Sequence, residues 1–418
     1  MRGRSVFIII FGGAFVGVLL FTFLRALEFV NGFTAVWYVP MIFFLPLVGA
    51  VREFVYGRYG RSCERGFALL DDGVRGTGDV PARMSVLTYV FTLLSHLFGA
   101  SVGKEGAGVQ ISGALFYNAG KLLKLNKTEL RYIIMAGMSA GFAGIFGTPV
   151  AGAIFGVEIC KLTGSYPEQS YASAGGITAA AKLRRLLPWQ ELLPNLAAAY
   201  SADLTIRLMG YRRASEVLPL PPLSPSLLIG LAVTALIAGL IPRLYKLVRD
   251  FINKTGRAYI KLPVLRGFML TAGVTVIAVV FGLKNYFGTS EWLIEDGLLG
   301  KTTVWDAFIK AGFTAVSTGA GLIGGEVTPM FCAGTALGGA VAVMFSVSAN
   351  AALFGGVGML TAFGGLMGTP LAGIALGCER FGSGCMIYYA AAVCIGVLLP
   401  DMAVNAIKRR RAGGAGAV

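Results

Sequence analysis

Long apolar runs separated by short polar interruptions dominate the chain. Ser5–Phe23, Ala35–Val51, Leu227–Ile241 and Phe268–Leu283 are apolar over much or all of the roughly 20 residues a helix needs to cross a bilayer. Each predicts a membrane helix. Other apolar stretches, Ser85–Phe98, Thr303–Ala315 and the glycine-broken Ala136–Ile159, are too short for a plain crossing. Segments of that kind are how transporters set helix ends inside a membrane. The expected fold class is all-α, a polytopic membrane protein with broken helices.

Composition supports this pattern. Of 418 residues, 56% are hydrophobic and only 14% charged, and the mean hydropathy is +0.72, far from the balance of a soluble domain. The first residues are basic, but the apolar run behind them outlasts a signal-peptide core and no small-x-small cleavage site follows, so it reads as a retained first helix. The net charge of +15 could suggest nucleic acid. Its carriers instead sit at segment ends: Arg2, Arg4, Lys121, Lys124, Arg184, Arg185, Arg207, Arg212, Arg213 and Lys408–Arg411. That is the positive-inside pattern, which predicts a multi-pass cell-membrane protein with both termini cytoplasmic and an even number of crossings. No aromatic-interleaved basic patch lies outside the membrane segments, so no nucleic-acid role is expected. The six cysteines lack paired ligand spacing and His96 is the single histidine, so neither a disulfide framework nor a metal site is expected. With no nucleophile–base pair in view, neither an enzyme nor a cofactor is expected.

The chain repeats itself. GTPVAGAIFGVE (Gly147–Glu158) matches GTPLAGIALGCE (Gly368–Glu379) at seven of twelve positions, at an offset of 221 residues (368 − 147). Carried back, the same offset sets Glu105 of GKEGAGVQ on Glu326 of GGEVTPMF, with Gly103 on Gly324 and Gly113 on Gly334. Leu69–Gly73 (LLDDG) parallels Leu293–Gly297 (LIEDG) at 224 (293 − 69). The expected organisation is a first membrane repeat over 1–217, a Pro-rich linker over 218–226, a second repeat over 227–407 and a basic tail over 408–418.

Both glutamates precede helical apolar spacing, so each motif is expected to open a helix. A helix N-terminus offers unpaired N–H groups and about half a positive charge, a ready anion site. Glycines let backbone approach a small desolvated anion closely. The Glu105 carboxylate can occupy such a site itself and leave it once protonated, which couples anion passage to proton transfer. The plainer alternative is that Glu105 caps its helix and pairs with Lys104. Lys104 either draws anions to the entrance or balances Glu105. Glu158 and Glu379 read as helix-end or packing residues.

GKEGAGVQ resembles the GKEGPxVQ signature of the CLC chloride channel and transporter family. Together with the duplicated GTPxAG helices, the similarity runs over most of the chain. The resemblance implies two inverted-topology repeats of tilted helices, a homodimer in membrane lipid with one pore per subunit, and Glu105 as gate. Gly325-Glu326-Val327-Thr328-Pro329 stands where chloride-type members carry G-x-F-x-P, and it is similar to the fluoride-exporting branch, which implies fluoride/proton antiport. A chloride or unselective halide channel or exchanger is the alternative. By the same resemblance Gly103, Lys104, Gly106 and Val109 form the start of the gate helix, Glu326, Val327 and Thr328 the opposing wall, and Gly66 and Phe67 a first anion-binding loop. The chain departs from the family in three places. Phe67 brings no hydroxyl where chloride types have serine, Ile159 falls near the internal proton-relay glutamate, and no tyrosine lies between Asp401 and Val418.

Overall fold

The first apolar run folds as one long helix, α1 (Gly3–Ile42). It relaxes to π geometry over Ile8–Gly12 and bends at Trp37 (φ −106°, ψ 24°), three residues before Pro40. A proline inside a helix removes one hydrogen bond and crowds the preceding turn, so the chain bends there. The expected continuous segment Ala35–Val51 is therefore two pieces. Phe43 and Phe44 form a turn, and α2 (Leu45–Val55) starts afresh with Pro46 in its first turn, where a missing N–H costs nothing.

This computed structural model describes residues 3–60, 62–162, 187–213 and 215–400. Arg2, Arg184, Arg185 and the basic tail, all invoked for topology, lie outside the described residues, as does the stretch from Asp401 onward. The chain continues through α3 (Phe67–Arg75), α4 (Arg83–Leu97), α5 (Glu105–Leu122), α6 (Lys127–Phe146), α7 (Pro149–Leu162) and α8 (Trp189–Leu208). There follow α9 (Pro225–Tyr259), α10 (Pro263–Val280), α11 (Trp292–Leu298), α12 (Val304–Gly319), α13 (Val327–Met344), α14 (Ala351–Met367), α15 (Pro370–Phe381) and α16 (Met386–Val393). The sequence offset recurs in the helices. α4 and α12 begin at Arg83 and Val304, and α7 and α15 at Pro149 and Pro370, each pair 221 apart (304 − 83; 370 − 149). α6 and α14 both end on a left-handed glycine, Gly147 (φ 73°) and Gly368 (φ 69°). Only glycine takes that conformation without a Cβ penalty.

Two compact units form by contact, and the first draws on both repeats. The first comprises Met1–Ser215, Tyr245–Ser290 and Gly312–Pro329. In its core, α1 (Leu20, Phe23), α5 (Phe116), α6 (Ile133, Ala140) and α8 (Ala202, Ile206) bury their apolar stripes together. Elsewhere in this unit α2 meets α10 with backbones nearly touching: a Cβ added to Gly49 would lie 2.7 Å from the Thr271 methyl, and one on Gly267 would lie 2.7 Å from Glu53 Cγ. The second unit comprises Glu216–Leu244, Glu291–Ala311 and Met330–Val418. There α13 and α14 bring Phe331 and Phe363 together (5.5 Å between ring centres). The stretch opening the Pro-rich linker is tied to the end of α15 by Glu216 N–H donating to Arg380 O and Leu218 N–H to Phe381 O, both 3.0 Å.

Helices α1, α9, α10 and α13 and the stretch Ser348–Met367 are long and apolar enough to cross a membrane. Large apolar side chains such as Phe15, Phe29, Leu247, Met269 and Phe281 are exposed on the surface. In water such a surface would aggregate, and in a bilayer it meets acyl chains at no cost.

Candidate anion site

The two glycine-rich motifs meet in backbone. Gly103 N–H donates to Gly325 O (2.6 Å) and Gly325 N–H donates to Gly103 O (2.5 Å), an isolated antiparallel bridge. Segments equivalent by the 221-residue offset thus run in opposite directions where they touch, the local geometry of inverted repeats. Glycine is required because a Cβ on Gly103 would sit 2.7 Å from the Pro329 ring, and one on Gly325 2.8 Å from Gly106 N. Both helices start beside this bridge, α5 at Glu105 and α13 at Val327.

Glu105 is buried, with 2% of its surface exposed. Its Oε2 accepts from Thr328 N–H (3.0 Å) and Lys104 N–H (3.2 Å), and the Thr328 hydroxyl donates to the same oxygen. The Thr328 amide is one of the first-turn donors of α13, so the carboxylate lies where that N-terminus favours negative charge. A buried carboxylate is tolerable only with such charge-assisted bonds. The cap-like bond to Lys104 and the bonds to Thr328 coexist, so both readings of Glu105 have a geometric basis.

A third helix start joins them. Gly66 (φ 53°, ψ −120°) opens α3, and a Cβ placed on it would lie 3.3 Å from the Gln110 amide nitrogen, one turn into α5. Phe67 reaches Gly106: its ring edge would be 3.6 Å from a Cβ there. That edge carries the positive part of the ring quadrupole, so an aromatic can face an anion without a hydroxyl. Val109 is buried behind the helix start.

Of the three residues expected opposite Glu105, Thr328 touches it and Val327 is buried at the start of α13. Glu326 is committed elsewhere. Its Oε1 accepts from Arg249 Nη1 on α9 (2.8 Å), and Arg249 also pairs with Asp250 (2.9 Å) and lies over the Tyr245 ring. Tyr245 Oη in turn meets Thr318 Oγ1 at 2.9 Å. Sequence reasoning missed Arg249 because it is one of six charges in the second half of α9 (Arg243, Lys246, Arg249, Asp250, Lys254 and Arg257), and nothing local singles it out. Glu158 is buried in α7 and Glu379 lies in the last turn of α15. His96 Nδ1 sits 2.9 Å from Asn31 Oδ1, and among the described residues no cluster of His, Cys, Asp and Glu could hold a metal ion.

Comparison with known proteins identifies the family independently of this geometry. The model of the voltage gated chloride channel family matches residues 68–400. The chain belongs to the CLC family. A curated relative from Pseudomonas syringae pv. tomato, a "Chloride/fluoride channel protein", is 31% identical over 353 residues, covering 82% of this chain and 72% of its own. Among solved structures, a CLC-type fluoride/proton antiporter superposes with a TM-score of 0.81 at 26% identity, over 94% of this chain and 93% of that one. A slow cyanobacterial Cl−/H+ antiporter gives 0.74 at 16% identity, over 97% and 99%, which speaks for the fold alone. This CLC protein is thus a multi-pass membrane anion transporter of two inverted repeats.

Proposed function

We propose that the protein exports fluoride in exchange for protons, with Glu105 as gate and proton acceptor. The observation that carries this reading is the set of donors on Glu105 Oε2: two backbone N–H groups and one hydroxyl, gathered at the start of two helices. Those donors suit an anion as well as a carboxylate. While Glu105 is ionised it holds them, and the path is closed. Protonation removes its charge and weakens every bond it accepts, so an arriving anion takes over the donors and the neutral side chain carries its proton aside. Fluoride, the smallest and most strongly hydrogen-bonding halide, gains most from short N–H and O–H donors set in glycine-rich backbone. The motif Gly325–Pro329 and the likeness to a fluoride/proton antiporter support fluoride over chloride. Arg249, by holding Glu326, keeps the loop that presents Thr328 in place.

The test is flux from liposomes holding purified protein, read by a fluoride electrode, a chloride electrode and a pH probe. Fluoride efflux much faster than chloride efflux is expected, with proton flux abolished in Glu105→Gln. Faster chloride than fluoride would overturn the fluoride assignment. Halide flux indifferent to a pH gradient would make the protein a channel. The second reading, a chloride or unselective halide pathway, draws on the "Chloride/fluoride" name of the relative.

A further inference from the structure

The first unit holds a second charged cluster that the Glu105 site does not use. On α2, Arg52 Nη1 pairs with Glu53 Oε1 (2.5 Å), and Arg266 Nη2 at the start of α10 pairs with Glu53 Oε2 (3.0 Å). All three side chains are nearly buried, 13%, 14% and 17% exposed in that order. One carboxylate therefore serves two guanidinium groups, and among the described residues the cluster keeps one uncompensated positive charge. Each guanidinium has five N–H donors and spends one on Glu53. Arg52 Nε is buried and donates to no described group. The Tyr56 ring, 4.8 Å from the Arg52 guanidinium carbon, offsets part of the charge but takes no hydrogen bond.

An uncompensated, partly unbonded cation inside a membrane protein is expensive. It makes sense where something negative visits it. The cluster is placed for such a visit. A Cβ on Gly321 would lie 3.4 Å from Arg52 Nη1 and 3.7 Å from Glu53 Oε1. Gly321 is four residues before Gly325 of the bridge, a reach of at most about 14 Å for extended chain.

We propose that Arg52 and Arg266 form a separate holding station for a small monovalent inorganic anion, from which the anion passes along the Gly321–Gly325 loop to or from the Glu105 site. The station rests on the reading that anions pass Glu105. Glu53 is its internal competitor, a fixed carboxylate that keeps the guanidinium groups from binding the anion too tightly to release it.

That role fixes the signs of the test. In full-length protein in neutral-lipid liposomes, Arg52→Gln and Arg266→Gln raise the half-saturating concentration of whichever halide flows fastest. About tenfold is expected, the weight of one charge-assisted hydrogen bond. Glu53→Gln, which frees both arginines, lowers it. Fluoride titrated calorimetrically into the detergent-solubilised protein follows the same order, and thermal melts establish that each variant is folded. A purely structural triad predicts that all three substitutions lower thermal stability and leave half-saturation in place, and that result overturns the station. So does a phospholipid that co-purifies with the protein, is lost in Arg52→Gln and leaves half-saturation unchanged, since the cluster then holds a lipid phosphate. Loss of proton flux in Glu105→Gln with no shift in the arginine variants defeats the station alone. Proton flux that survives Glu105→Gln defeats the gate and leaves the half-saturation shifts standing.

Discussion

Glu105 Oε2 takes three donors, two of them from one residue. Because Thr328 contributes both an amide and a hydroxyl to it, the two contributions can be separated. Thr328→Val keeps the amide and loses the hydroxyl, and a roughly tenfold rise in half-saturating fluoride is expected, measured by electrode against initial rate. Arg249→Met leaves Glu326 without its cation. It is expected to lower thermal stability and slow exchange while Glu105 itself is intact, and Arg249→Lys should recover part of both. A second test lies outside the membrane helices. Asp79, in the loop between α3 and α4, accepts from Lys121 Nζ (2.8 Å) and from the Tyr117 hydroxyl. The bond from Lys121, then that from Tyr117, holds its carboxyl below the usual carboxylate value. A depressed folded pKa gives stability that is complete above the unfolded value and is lost as pH falls through the folded one. The difference in melting temperature between wild type and Asp79→Asn should therefore be present at neutral pH and fade below about pH 4. A difference that grows on acidification would contradict the assignment.

Helix ends repeat with the sequence but are not equally supported. Gly147 and Gly368 share the left-handed C-cap conformation. Around Gly368 there is open space, whereas a methyl on Gly147 would lie 2.6 Å from Arg213 Cδ. Arg213 caps α6, its Nε donating to Ile145 O (3.0 Å) and its Nη2 to Gly144 O, while Asp203 holds its Nη1 (3.0 Å). Gly368→Ala should cost about 1–2 kcal/mol, the left-handed penalty alone. Gly147→Ala should cost clearly more, since Arg213 must also move, and thermal melts of the two variants compare them directly. Other helix ends have causes within a few residues. Asn126 and Glu129 form a capping box at the start of α6, and Pro149 and Pro370 stand at the first positions of α7 and α15. The break at Phe43–Phe44 was not legible in hydropathy, which is continuous across it; the turn there and the restart of α2 at Leu45 are seen only in the fold.

At the level of the molecule, the compact units cut across the chain: the second halves of α9 and α12 lie with the first repeat's helices. That mixture follows from inverted repeats that meet at a shared bridge, where Gly103 and Gly325 pair. The family resemblance further proposes a homodimer. Light scattering in detergent should then give a protein mass of twice 43.9 kDa. If each subunit has its own path, vesicles with single dimers tagged one wild type and one Glu105→Gln should keep about half the proton flux per dimer, since independent sites contribute additively. Complete loss would mean that the subunits act together.

Membrane class, duplication and the candidacy of Glu105 followed from the amino-acid order, because each is written in local composition or in a fixed spacing along the chain. A motif that recurs at 221 residues needs no coordinates to be seen. What the motif does with its side chains was settled in three dimensions. Thr328 reaches Glu105 across 223 positions and Arg249 reaches Glu326 across 77. Glu105 and Glu326 are equivalent in sequence, yet one carboxylate is gathered onto helix donors and the other onto a guanidinium. The difference is in which partner the folded chain brings within about 3 Å, since hydrogen bonds and ion pairs act only at contact. No spacing along the chain records that distance.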